Sequence, residues 1–327
     1  MNIALTYFCN QSCPYCFGID AMSVSRRSSE AREMSIDNLY KIMDFMKRSE
    51  ITEFNMIGGE PTLHSRFEEV YDTVSDNGFS IMIFSNGVID KHRVEFLSKK
   101  DNLVNILLNI RQPKEYSAKD WRKILYTCSR LNKLVTLSYR VYKMDFDPRF
   151  LFDLIDEYRL KRLINWGIAC PSLIRNNVYI YLEDHKKVVE RMVKFSRESK
   201  KRNIRWYADA GFILCAFDNG KLEKLKKNVD FIPNTNCYLA MEVAPDLRIF
   251  RCYGTAPKTQ PGLKITDFKN LEKAERYFFT KSLPFKRLGG MDECWRCEHI
   301  ISQRCGGGCI VHILKRLPNY RELPPIF

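Results

Sequence analysis

Cys9, Cys13 and Cys16 stand at the spacing C-x3-C-x2-C, and they open a set of twelve cysteines in a chain of 327 residues. Three thiolates on one short loop can ligate three irons of a cubane cluster and leave the fourth iron open to another molecule. Zinc competes for such a loop, although structural zinc closes itself with four ligands and the next histidine, His64, lies far along the chain. Unconnected buried thiols are the remaining alternative. Further on, Cys237 and Cys252 form a pair, and Cys294, Cys297, Cys305 and Cys309 follow the form C-x2-C-x7-C-x3-C. Gly306, Gly307 and Gly308 precede the last of these and allow the tight bends that wrap a cluster. In a reducing compartment such groups point to metal or catalysis, since disulfides do not persist there.

The elements that position these residues are legible in the hydrophobic pattern. Short apolar runs alternate with amphipathic stretches, the sequence form of strand-helix units round a parallel sheet. The expected strands are Asn2 to Phe8, Glu53 to Ile57, Ser80 to Phe84, Val104 to Ile110, Val135 to Val141 and Arg162 to Ile168. Helices are expected after Ser35, Ser65 and Ser117 as capping residues. Right-handed crossovers curl such a sheet into an open barrel, an α/β fold of partial (β/α)6 type, with its functional loops after the strands. After Arg205 the alternation is expected to stop, giving a barrel over 1–205 and a small α+β cysteine-rich domain over 206–327. There the spacing predicts a β-hairpin turning at Pro245 and Asp246, then a helix around Asn270 to Thr280.

Composition narrows the class. A 45% hydrophobic and 13% aromatic content suffices for one large domain and a small one. No apolar run reaches the ~18 to 20 residues that span a bilayer, and the start of the chain lacks the marks of a signal peptide, so a cytoplasmic location is expected. The net charge of +14 suits nucleic acid, an acidic peptide or an acidic small molecule. Many of the lysines and arginines fall on stretches such as 183–203, where apolar residues at helical spacing leave the basic ones on the other face, either as a solvated surface or as a partner surface.

The second expected strand ends in Gly58, Gly59, Glu60 and Pro61. Together, CNQSCPYC after strand one and IGGEPTLH after strand two resemble the radical S-adenosylmethionine (radical SAM) superfamily. The resemblance implies that the open iron of a 4Fe-4S cluster binds the amino and carboxylate groups of S-adenosylmethionine. An electron from the cluster then breaks a sulfonium bond, giving methionine and a 5′-deoxyadenosyl radical that takes hydrogen from a substrate. It also implies contacts to the methionine amino group from Gly58, Gly59 and Glu60, and an adenine face at Tyr15. Ser85 and Asn86 match ribose contacts, Asn109 and Arg140 ribose or carboxylate contacts, and Ile168 and Ala169 an adenine pocket. Arg140 has a surface salt bridge as its alternative, and Ile168 and Ala169 have barrel packing.

The later cysteines resemble the SPASM and twitch extensions of the superfamily, which carry auxiliary 4Fe-4S clusters. One or two such clusters are expected. The resemblance joins Cys309 to Cys237 and Cys252, with Cys215 as fourth ligand, and groups Cys294, Cys297 and Cys305. The usual last cysteine of that second group is missing, so His299, Glu298 or His312 completes it, a site stays open, or the run binds part of a cluster or a zinc. Cys128 is expected in the core. Cys170 is either a buried thiol or a catalytic hydrogen-atom donor, as in some peptide epimerases. The substrate expected from the resemblance is a ribosomally made peptide, with a small molecule second and RNA third. With the chain starting at strand one, peptide binding falls to the barrel mouth and the C-terminal region. A flavodoxin- or ferredoxin-type electron donor, and neither membrane nor nucleic acid, complete the expected partners.

Overall fold

Eight parallel strands follow one another in chain order, each short enough to cross a sheet whose two faces are covered. They are β1 (Asn2–Thr6), β2 (Glu53–Gly58), β3 (Ser80–Ser85), β4 (Leu103–Asn109), β5 (Val135–Val141), β6 (Leu163–Ile168), β7 (Arg205–Ala208) and β8 (Phe231–Ile232). Helices α1 (Ile19–Arg26), α2 (Ile36–Arg48), α3 (Phe67–Asp76), α4 (Lys91–Leu97), α5 (Ala118–Arg130), α6 (Arg149–Tyr158), α7 (His185–Lys201) and α8 (Lys221–Asn228) lie between them. The computed structural model describes residues 1–26, 32–209, 211–218, 220–238 and 240–327.

The expected alternation does not stop at Arg205. β7 pairs with β6 and β8 with β7, both parallel, so the sheet runs on through two more units. With four and two residues these strands are too short to show a period of two. At the opposite edge the expected hairpin forms from β9 (Glu242–Val243) and β10 (Ile249–Phe250), with Ile249 opposite Val243; residue 239 of that segment lies outside the described residues. β9 adds in parallel to β1, at Asn2 and Ile3. The ten-stranded order β10-β9-β1-β2-β3-β4-β5-β6-β7-β8 is an unclosed, mostly parallel barrel-like sheet.

The core sits between strands and helices. Ile3, Leu5, Phe54, Ile81, Ile106, Leu137 and Trp166 meet buried helix residues such as Leu39, Val70 and Ile124 in one cluster. Ser35 and Ser117 cap α2 and α5 as expected, accepting from Asn38 and Asp120 N–H groups at 3.1 Å, each worth about 1 kcal/mol. Ser65 does not cap α3. Its N–H and hydroxyl go to the Glu33 carboxylate at 2.9 and 2.8 Å, and α3 starts later with Arg66 as its uncapped flank. The helix expected near 270–280 is α9 (Leu271–Leu288), which runs eight residues further, across Pro284. The short helices α10 (Glu298–Ile301) and α11 (Ile310–Arg316) follow. Among the described residues no helix is long and apolar enough to cross a membrane.

Candidate functional site

The triad loop leaves β1 at the strand end where a parallel barrel collects its functional loops. Its hold on β2 is backbone to backbone: Gly59 N–H donates to Thr6 O and Glu60 N–H to Phe8 O, both at 2.8 Å. A methyl group on Gly58 would stand 2.2 Å from Thr6 O, and one on Gly59 2.3 Å from Phe8 O and 3.0 Å from Cys9 Cβ. No side chain fits at those separations. The two glycines are therefore required by the close approach of the cysteine loop itself, a use the sequence alone did not distinguish from approach to a ligand.

Cys9 is exposed at the rim, yet the protein around its thiol pushes its pKa up to about 11; Cys16, deeper, is pushed up to about 12 by burial. Burial raises Cys13 as well, opposed by the nearby Arg111 guanidinium. Each thiol lies in the electrostatic field of another, so three bare thiolates here would repel one another. Iron ligation supplies the missing positive charge and deprotonates a thiol outright. Among the described residues no three His, Cys, Asp or Glu side chains converge to hold a metal ion as they stand. The fit therefore rests on donor chemistry, three sulfurs on one loop, which suits an iron-sulfur cluster.

Glu60 differs from its expected role. Its carboxylate is fully buried and saturated by protein donors: Thr62 Oγ1 at 2.7 Å, Asn86 N–H at 2.8 Å, and Ser85 Oγ at 3.0 Å from both oxygens. Burial raises its pKa, and those hydrogen bonds oppose the rise. Pro61, at the first position of a short 3-10 turn, is buried beside it. Ser85, expected toward ribose, faces Glu60 and accepts from Gly87 N–H at 3.0 Å. The Asn86 amide points to the triad loop, donating to Asn10 Oδ1 at 2.9 Å and to Cys9 Sγ at 3.8 Å.

A polar row crosses the later strands: Asn109, Ser138, Asn165 and Tyr207 are successive cross-strand partners on β4 to β7. The Oδ1 atoms of Asn109 and Asn165 are buried without a hydrogen-bond partner, so each has an acceptor left to satisfy. Arg140 does form a salt bridge, with Asp209, both side chains part-buried. It lies flat on β6, where a methyl on Gly167 would stand 2.0 Å from its Nη1, and it donates to Asp209 Oδ2 at 2.6 Å. Tyr15 packs on Tyr142, ring centroids 4.5 Å apart, and joins Ala169 in one small apolar cluster. Ile168 belongs instead to the large core beneath the helices. The loop after β6 grips the triad loop through Val178 N–H to Pro14 O at 2.9 Å and Asn177 Nδ2 to Tyr15 O at 3.4 Å.

Three of the later cysteines lie near a buried cation. Arg251, 1% exposed, donates to Cys237 Sγ at 3.4 Å, Cys237 O at 2.8 Å and Ser282 Oγ at 3.1 Å. Its charge is felt by the thiols of Cys237, Cys252 and Cys309, the three that the resemblance groups together. Lys286 also reaches Cys237 O. The neighbouring Cys170 and Cys237 thiols, together with burial, hold the Cys309 thiol well above its usual pKa. Burial pushes the Cys215 thiol up to about 11, with Cys305 adding to the rise. His312 packs on Tyr179 and His185, with centroids 5.6 and 6.3 Å away, while His299 meets Arg304 at 3.0 Å. Cys128 is fully buried on α5.

Residues 3–144 match the family model described as the radical SAM superfamily. The chain carries a radical SAM domain. A protein of Methanocaldococcus jannaschii, named as a candidate glycyl-radical enzyme activating enzyme, is 26% identical over 178 residues, 50% of this chain and 63% of that protein. Mycofactocin maturase MftC of Mycolicibacterium smegmatis is 32% identical over 84 residues, 26% of this chain and 20% of MftC. The chain spans less than two thirds of the length of the curated relatives it matches. In fold it matches Streptococcus suis SuiB solved with S-adenosylmethionine, at TM-score 0.69 and 13% identity over 99% of this chain and 75% of SuiB. SuiB has also been solved with its precursor peptide SuiA, TM-score 0.68.

The radical SAM domain uses S-adenosylmethionine and a 4Fe-4S cluster. Its residues fit both: three sulfur donors stand on one loop, and the buried Oδ1 atoms of Asn109 and Asn165 offer acceptors without a partner. Sequence reasoning missed Arg111. It is 8% exposed, stacks 4.6 Å over Tyr116, donates to Gln11 Oε1 at 2.6 Å and leaves its Nε unpartnered. The signal was available as an arginine two residues past the fourth strand, in NIRQP. Asn10, Gln11 and Asp209 carried no such signal.

Proposed function

We propose that this radical SAM enzyme reductively cleaves S-adenosylmethionine and takes hydrogen from a ribosomally synthesised peptide. When bound, the cluster supplies the electron and the open iron. The chain's own residues do the rest: Cys9, Cys13 and Cys16 ligate, Gly58, Gly59 and the Glu60 brace hold the ligating loop, and Tyr15 with Ala169 offers a flat apolar face for a base. Asn86, Asn109 and Arg140 line the polar side. Residues 206–327 hold auxiliary 4Fe-4S clusters, and a small flavodoxin- or ferredoxin-type protein delivers electrons.

The observation that carries the cleavage reading is the joint between Gly59 and the triad loop, which seats the two motifs on one another. The peptide reading is supported by a fold shared over the whole chain with a protein solved with its precursor peptide, by similarity to a protein named a maturase, and by a net charge of +14, which attracts an acidic leader. The test is anaerobic turnover with deuterated peptides and metabolites, read as deuterium in 5′-deoxyadenosine. Label from a peptide supports the reading, and label only from a metabolite overturns it.

A further inference from the structure

Arg111 is a buried cation held rigidly by its own loop. β4 ends at Asn109, Ile110 N–H still reaches Ser138 O at 3.1 Å, and Arg111 is the first residue past the ladder. A turn closed by Glu115 N–H to Gln112 O at 2.9 Å then brings Tyr116 back onto it. Tyr116 Oη accepts the Arg111 backbone N–H at 2.9 Å, and the guanidinium stacks 4.6 Å over the same ring, which rests in turn on Trp121. One tyrosine thus fixes both the backbone and the charge of Arg111.

The charged end meets the triad loop. Gln11, between Cys9 and Cys13, donates its side-chain amide to Asn10 O at 2.9 Å and to Asp120 Oδ2 at 3.4 Å, which turns its carbonyl oxygen toward Arg111 Nη2 at 2.6 Å. That acceptor is neutral. Arg111 Nε is buried with no partner at all. Elsewhere, Arg140 and Arg248 face Asp209 and Asp246 at 2.6 and 2.8 Å, whereas Arg111 forms no ion pair among the described residues. A buried charge is costly unless an opposite one stands by it. Burial works against the Arg111 charge, and the Cys13 thiol leads the groups that favour it. Three thiolates outweigh the charge of an oxidised cubane core, so the loaded loop is anionic, and an added electron makes it more so.

We infer that Arg111 is the countercharge of the catalytic cluster, a positioning residue acting through the cluster, whose fixed guanidinium favours the reduced state. The inference rests on the iron-sulfur reading of the Cys9, Cys13 and Cys16 loop. The step concerned is the entry of one electron from the reductant into the cluster, with no bond made or broken and no proton moved. A cation held beside the cluster lifts its reduction potential, and cluster net charge and hydrogen bonding are among the levers that set that potential.

The test is a potentiometric titration of the full chain, reconstituted anaerobically and followed by electron paramagnetic resonance without S-adenosylmethionine. The catalytic signal is the one that Cys13→Ala lacks. In Arg111→Gln the reduced-to-oxidised ratio at the wild-type midpoint should fall about tenfold, ~59 mV for one electron. Arg111→Lys, which keeps the charge, should restore most of it. Gln11→Ala, which removes the loop contact and keeps the charge, should lower the ratio by less than about threefold. An unchanged ratio in Arg111→Gln overturns the inference, and if S-adenosylmethionine binding weakens in the same variant, the guanidinium serves the carboxylate of that molecule instead. An equal fall in Gln11→Ala also overturns it, in favour of loop geometry. Should Arg111→Gln load no catalytic iron, Arg111→Lys decides: loading with the wild-type ratio supports the countercharge, and failure to load leaves a packing role only. If no signal depends on Cys13, the iron-sulfur reading of the loop fails, a distinguishable result.

Discussion

The buried Glu60 carboxylate accepts the backbone N–H of Asn86 at 2.8 Å, and through that bond the end of β2 fixes the end of β3. Asn86 in turn reaches Asn10 and Cys9 on the triad loop. Glu60→Gln replaces an acceptor oxygen with a donor amide facing Ser85 and Asn86 donors. The cost should be about 1 to 3 kcal/mol of stability, with weaker S-adenosylmethionine binding. Urea unfolding and equilibrium dialysis check both; if neither moves, the brace has no functional role.

Gly59→Ala sets a methyl 2.3 Å from Phe8 O, a backbone atom that cannot swing aside. The triad loop must lift from β2. Reconstituted Gly59→Ala should lose about four irons per chain while the auxiliary iron stays, measured by iron and sulfide content. Full iron retention would show that the loop holds its ligands without the joint.

Gly167→Ala meets the flexible end of Arg140, with Nη1 at 2.0 Å and Cδ at 2.7 Å. The guanidinium should leave Asp209 while the backbone stays in place. Stability should fall by roughly 1 to 2 kcal/mol, and S-adenosylmethionine affinity by more than that of an Arg140-independent ligand. Calorimetric titration of the reconstituted protein decides it; unchanged affinity would remove Arg140 from the cofactor site.

His185 and His312 are buried, with both ring nitrogens of His185 and Nε2 of His312 unpartnered. Burial pushes their pKa values down to about 4 and about 3, with Asp184 beside the first and Lys315 beside the second. The unfolded rings titrate near 6.5, so below that pH the unfolded chain binds protons that the fold refuses. Stability therefore holds above about pH 6.5 and falls as pH drops toward 4, by roughly 1 kcal/mol per ring at pH 5.5. Denaturation at pH 7.5 and 5.5 should show the loss, and His185→Phe should reduce it; an identical slope in the variant would contradict the assignment.

Both motifs were legible because each lies within a few residues of one strand end, and β1 to β6 were legible because their runs are long enough to show a period. β7 and β8 were not, having four and two residues. The cap at Ser65 failed because Glu33, 32 residues away, takes its hydroxyl. Glu60 read as a ligand contact because sequence cannot tell a carboxylate aimed at a cofactor from one saturated by Thr62, Ser85 and Asn86.

The most direct measurement is 5′-deoxyadenosine release from S-adenosylmethionine by anaerobically reconstituted protein reduced with dithionite, wild type against Cys13→Ala. The wild-type chain should release the nucleoside, and Cys13→Ala should release none while keeping its auxiliary iron. Equal release from the two proteins would take the Cys9, Cys13 and Cys16 loop out of the chemistry.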